Sequence, residues 1–111
     1  MLSTKAPNKL TAKRSCEIRP GAWVNVEVNE PICIPKDHFG FMQIRKSLFN
    51  KQLIMGANGV EGGEEYICAV QLHNAGSQTV EIRAGEELVG MVYCKRAFYN
   101  SMDELCDNVR T

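Results

Sequence analysis

What most constrains this chain is a succession of short alternating apolar runs, each cut by glycine, proline or asparagine after roughly ten residues. In WVNVEVNEP, Val24, Val26 and Val28 alternate with Asn25, Glu27 and Asn29, the period of a strand with one buried face. Pro20-Gly21 ahead of it reads as a turn. ICIP behind it reads as a short strand stopped by Pro35, because proline has no N–H to give a ladder. Phe39, Phe41 and the mixed run to Ile44 resume the pattern, with Gly40 marking a bend or a close backbone approach. YICAVQLHN puts Tyr66, Cys68, Val70 and Leu72 on one face, and AGSQ, TVEIR, AGEE and LVGMVYC follow as turn, strand, turn, strand. No strand–helix–strand alternation appears, so the expectation is an all-β sandwich or barrel.

Only the tail reads as helix. Ser101 and Glu104 have capping-box spacing, and Met102, Leu105, Cys106 and Val109 fall on one face. A helix this short is marginal alone, so that face needs a surface: its own domain, a neighbouring subunit or a foreign partner. The first fifteen residues are basic and aperiodic, an arm or a peripheral strand. The expected organisation is a basic N-terminal arm (1–15), a β domain (16–95) and a tail with a short amphipathic helix (96–111).

Lys+Arg and Asp+Glu both number 13, so no whole-molecule field favours nucleic acid or an anionic membrane. Trp23, the single tryptophan, is expected in the core or a subunit contact rather than as a platform for bases. The five cysteines follow no CxxC or regular spacing, which argues against a disulfide framework or a zinc site. Cys33, Cys68 and Cys94 are expected to be buried as small hydrophobes. His38 and His73 have no partners at ligand spacing, so no metal site is expected. No stretch has the make-up of a signal peptide or a membrane span, and the expected location is cytoplasm or nucleus. A chain of 111 residues makes one small domain, a size at which oligomerisation adds useful burial.

The turn NGVEGGEEY carries Glu61, Glu64 and Glu65 immediately before the strand that ends in Asn74. With EIRPG, IPKDHFGFMQIRKSLF, VQLHNAG and VEIRAGEELVGMV in this order, the chain resembles the trimeric dUTPases and their relatives the dCTP deaminases from Ile18 to Val92. The resemblance implies an all-β dUTPase-like β-clip, a distorted jelly-roll barrel, assembled as a homotrimer.

It also implies where a nucleotide site would lie, and each of those positions departs from the family. The second motif, R-S-G-L or R-S-S-L, falls on Arg45, Lys46, Ser47 and Leu48; Lys46 replaces the phosphate-binding serine, or else Ser47 matches the second serine of the deaminases. The pair Arg45-Lys46 with a hydroxyl is still able to hold phosphate, and a solvated loop is the plain alternative. The catalytic aspartate falls on Glu61, one methylene longer, which displaces a general base whose water needs close positioning. Glu64 and Glu65 stand for the sugar-screening tyrosine and the arginine after it. Such carboxylates repel a polyanion by roughly 1 kcal/mol or more per close pair at an effective dielectric near 20. The deaminase glutamate becomes Gln71, which carries no proton in that role. The first motif lays on residues 6–12 with Lys9 for the aspartate that supports the magnesium shell. In the fourth, Glu87 replaces the arginine and Gly90 the phosphate-contacting glutamine. The glycine-rich fifth motif has no counterpart.

Core and turn positions keep the family pattern while substrate-handling positions lose it. The expectation is a dUTPase-like protein without catalysis, a trimeric binding or structural module, with a viral or phage source and a host or viral protein partner following from the resemblance. Its candidate contact surfaces are the tail face Met102, Leu105, Cys106 and Val109 and the acidic turn Glu61, Glu64 and Glu65. Two alternatives remain. One is an active pyrophosphatase using Glu61 as base, with magnesium as cofactor only in that case; the other is a non-hydrolysing nucleotide binder. Arg45, Lys46, Ser47, Gln71 and Gly90 are the candidate substrate-binding residues.

Overall fold

The computed structural model describes residues 2–3, 9–56, 59–61, 66–95, 104 and 106–107. The chain folds into β1 (Leu2–Ser3), β2 (Lys9–Thr11), β3 (Cys16–Ile18), β4 (Trp23–Cys33), β5 (His38–Ile44), one helical turn α1 (Lys46–Phe49), β6 (Leu53–Met55), β7 (Gly59–Glu61), β8 (Tyr66–Asn74), β9 (Val80–Ile82) and β10 (Glu87–Lys95). The all-β expectation holds.

Every pairing is antiparallel. One sheet runs β1-β10-β5-β7, with β2 lying beyond β1 along the same edge of β10. A second runs β4-β8-β6, and β3 and β9 form a separate ribbon. Of the alternating positions read from sequence, Val26 and Val28 of β4 and Val70 and Leu72 of β8 are buried, whereas Val24 is half-buried and Tyr66, expected on the inward face of β8, is 63% exposed. The buried positions meet Leu10, Ile18, Ile34, Ile82, Leu88, Val89 and Met91 in one continuous core. Of the first fifteen residues, Leu2–Ser3 and Lys9–Thr11 both enter the sheet; the second strand buries Leu10, and Ala12 beside it is also buried.

The separate ICIP strand expected from sequence is instead the end of β4. Its register against β8 lapses between Glu27 and Ile32, so Val28 turns to bridge Ala12, and Asn29 Nδ2 donates to Thr11 Oγ1 and to the Ala12 carbonyl. Pro31 falls in this bulge, where a missing N–H costs no ladder bond. Cys68, the β8 residue opposite the lapse, is exposed, while Cys33 and Cys94 are only half-buried; burial of these three was expected and is not found. Trp23 is not in the core: it is 52% exposed.

The turns form where glycine permits them. Gly21 and Gly85 hold φ of +81° and +85°, which a side chain rarely allows. The helical turn α1 was not legible as helix, being too short for a periodic signal. In the tail, Glu104, Cys106 and Asp107 have helical backbone, whereas Met102, Leu105 and Val109 lie outside the described residues. Among the described residues no helix is long and apolar enough to cross a membrane.

Candidate functional site

Four positions singled out from the sequence come together at β10. Lys9 and Gly90 are cross-strand partners, and Glu87 begins the same strand three residues earlier. Arg45 leaves the end of β5, where its N–H donates to the Leu88 carbonyl at 3.0 Å and its own carbonyl starts α1. The hydrogen-bonded strands β2 and β10, with the turn after β5, therefore place Lys9, Arg45, Glu87 and Gly90 together.

Their charges are spent on one another. Lys9 Nζ donates to Glu87 Oε1 at 3.2 Å. Arg45 Nη1 lies 2.6 Å from Glu87 Oε2, a close charge contact off the hydrogen-bond axis, since that oxygen accepts no hydrogen bond. Both cations are about half exposed and Glu87 about one third, so water still screens the cluster. Lys46 and Ser47 on α1 point into solvent, and α1 has no side-chain cap.

Glu61 and Gln71 stand elsewhere. Glu61 closes β7, opposite Phe39 at the far end of β5 from Arg45. Six residues of strand separate those ends, roughly 20 Å at the usual rise. Gln71 lies on the outer face of the other sheet, paired with Asn25, its carbonyl accepting from Gly56 N–H at 3.0 Å and its side-chain amide over Gly56. One copy of the chain thus does not bring the Glu61 backbone position near Arg45. Glu64 and Glu65 lie outside the described residues.

Sequence reasoning noted Lys9 and Glu87 separately, each as a charge inversion, and missed that they face each other. Two opposite inversions in one reading were the signal that pairs them. Asn74 was read as a fold marker, and its geometry explains why. It is wholly buried, its Nδ2 donates to the carbonyls of Ile18 at 2.8 Å and Gln78 at 2.7 Å, and its Oδ1 accepts from Gly76 N–H at 2.9 Å.

Comparison with solved structures identifies the fold. The dUTPase of EIAV superposes with a TM-score of 0.72 over 92% of this chain and 94% of that one, at 13% identity. The chain has the dUTPase-like fold. A mutant dUTPase of phage phi11 of S. aureus, described for its structural Mg(II) ion, superposes on this dUTPase-like chain with a TM-score of 0.71 at 12% identity, covering 88% of this chain and 82% of that one. A mutant of the Staphylococcus bacteriophage 80alpha dUTPase, bound to dUpNHpp, gives 0.69 at 10% identity over 92% and 93%. No protein-family profile and no curated protein matches the sequence.

A magnesium ion does not fit the donor set of the dUTPase-like chain at this cluster. Lys9, where the resemblance sets an aspartate supporting the magnesium shell, carries an ammonium, and the carboxylate beside it already answers two cations. Among the described residues no group of three His, Cys, Asp or Glu side chains could hold a metal ion.

Proposed function

We propose that this dUTPase-like chain is catalytically inactive and acts as a homotrimeric binding or structural module. The observation that carries the reading is the Lys9–Glu87–Arg45 cluster: the arginine aligned with the phosphate site is 2.6 Å from a carboxylate of its own chain. A triphosphate would have to displace Glu87 from Arg45 and then sit beside that acid, whereas an engaged site offers an arginine free to fork onto phosphate. Gly90 gives no side chain for a phosphate contact, and Gln71 cannot shuttle a proton.

The trimer is supported by exposed apolar surface. Trp23, His73 and Ile54 form one row across β4, β8 and β6, with Trp23 stacked on His73 at 4.5 Å between ring centroids and Ile54 41% exposed. Such a row is costly to leave in water and suits a subunit contact. A partner-directed role has a precedent in the fold: the phage 80alpha dUTPases are described as controlling transfer of virulence genes by a proto-oncogenic G protein-like mechanism. We place the host or viral partner of this chain on the tail face and on the acidic stretch of Glu61, Glu64 and Glu65, whose first residue closes β7.

The test is solution mass and dUTP turnover with magnesium, measured on one sample. The reading expects a trimer with no pyrophosphate release above the uncatalysed rate, in wild type and in Glu61→Gln alike. Turnover that depends on Glu61 would make the chain a pyrophosphatase and end the proposal.

A further inference from the structure

A cleft of about 930 Å³ opens between three turns, Asn50–Gln52 after α1, Gly76–Thr79 after β8 and Arg83–Glu86 after β9, with Val80 and Glu81 of β9 along its side. It shares no residue with the Lys9–Glu87–Arg45 cluster.

Its walls are fixed in advance. The Asn74 amide ties the second turn through the Gln78 carbonyl and Gly76 N–H. Gln52 takes φ of 66°, accepts Ala75 N–H on its carbonyl at 2.9 Å and lays its side chain over Gly76. In the third turn, Glu86 Oε1 accepts Arg83 N–H, Ser15 Oγ accepts Ala84 N–H, and the Ala12 carbonyl accepts Gly85 N–H. A cleft held this way loses little freedom on binding.

Along this cleft runs an open sheet edge. β9 pairs with β3 alone, and among the described residues the main-chain groups of its other edge have no backbone partner. The long edge of β4 is bulged and tied to β2 by Asn29, whereas β9 has neither bulge nor proline. Unpaired strand edges are templates for another strand. The charged side chains around the cleft balance, Lys51 and Arg83 against Glu81 and Glu86, which does not suit a polyanion. Arg83 Nε already donates to Glu81 at 3.1 Å, so of the two cations lining the cleft Lys51 is the one without an ion pair among the described residues.

We propose that the cleft binds an extended peptide segment of a partner protein, added as a strand to β9, with a carboxylate side chain meeting Lys51. Main-chain bonds to β9 give affinity, and Ser77, Thr79 and Lys51 read the side chains. The inference goes beyond the reading of the nucleotide site, and its readout is independent of turnover.

The test uses the full chain and a random peptide display library. Selected peptides are titrated, and amide hydrogen exchange is followed with and without each peptide. The expected result is enrichment of acidic, extended sequences that slow exchange of the outward amides of Val80–Ile82. Ser77→Trp, which fills the cleft from an exposed loop, and Lys51→Glu should each weaken binding roughly tenfold. Thermal melts matching wild type would show that both variants keep the fold. The proposal is overturned if no peptide is selected, if selected peptides leave β9 exchange unchanged, or if both variants bind as wild type does. It is also overturned if the outward β9 amides are already protected in the free chain, because a segment of the chain itself then occupies the edge.

Discussion

The Lys9 ammonium lies 3.2 Å from a Glu87 carboxylate oxygen, on neighbouring strands and at two positions where the resembled motifs carry aspartate and arginine. Both charges are inverted, so an ion pair remains where a single inversion would have set like charges side by side. With Arg45 on the second oxygen, the pair becomes a closed cluster that ties β2 and the end of β5 to β10.

Glu87→Arg should therefore gather three cations and lower stability by about 1 kcal/mol, the modest size expected of half-exposed charges. Adding Lys9→Asp should recover part of that loss. Urea denaturation of the single and double variants measures the coupling, which should shrink as salt rises.

Asn74→Ala removes three hydrogen bonds from a wholly buried amide and leaves the carbonyls of Ile18 and Gln78 without that donor. The expected loss is about 3 kcal/mol, from roughly 1 kcal/mol per bond. Chemical denaturation checks it, and Asn74→Asp should not restore it because both Nδ2 donations are lost.

Gly40 gives room to its neighbours rather than a special φ. A Cβ there would come 2.6 Å from Ile34 Cδ1 and 3.2 Å from Met91 Cε. Gly40→Ala should cost about 1–3 kcal/mol by overpacking. Ile34→Val in the same chain, which removes the nearest atom, should return part of it in a thermal melt.

The Asp37 carboxyl is held below its usual value of 3.8, first by its hydrogen bond with His38, 2.7 Å away. A carboxyl depressed in the folded state contributes stability at pH above the unfolded value, and that contribution disappears as pH falls through the folded one. Asp37→Asn should thus be less stable than wild type near neutrality, with the two curves converging in acid below pH 3.8. Denaturation midpoints along a pH series would show it.

Cys68 is exposed opposite the β4 bulge, whereas burial pushes the Cys16 thiol up. Alkylation at mildly alkaline pH, followed by peptide mass analysis, should label Cys68 before Cys16 because the thiolate is the reactive form. Faster labelling of Cys16 would contradict this arrangement.

Much of the fold was legible along the chain because strands and turns are written locally. Val26 and Val28, Val70 and Leu72, and the turns at Gly21 and Gly85 follow from period and from conformational freedom that neighbouring residues decide. The errors fell where partners decide. Nothing near Cys68 in sequence tells that β4 leaves its register opposite it, and nothing in WVNV chooses between the core and a subunit contact for Trp23, which stacks on His73 outside the core.

The sequence by itself determined the all-β class and the charges that stand where the resembled motifs carry others, since each is a property of residue type and spacing. Only the tertiary structure decided how those charges meet. Lys9 and Glu87 are 78 residues apart, and their charges cancel because β2 and β10 pair in one register. The same holds for the cleft, whose turns come from distant segments, and for the free edge of β9: an ion pair or an unpaired edge exists only once strands have chosen their neighbours.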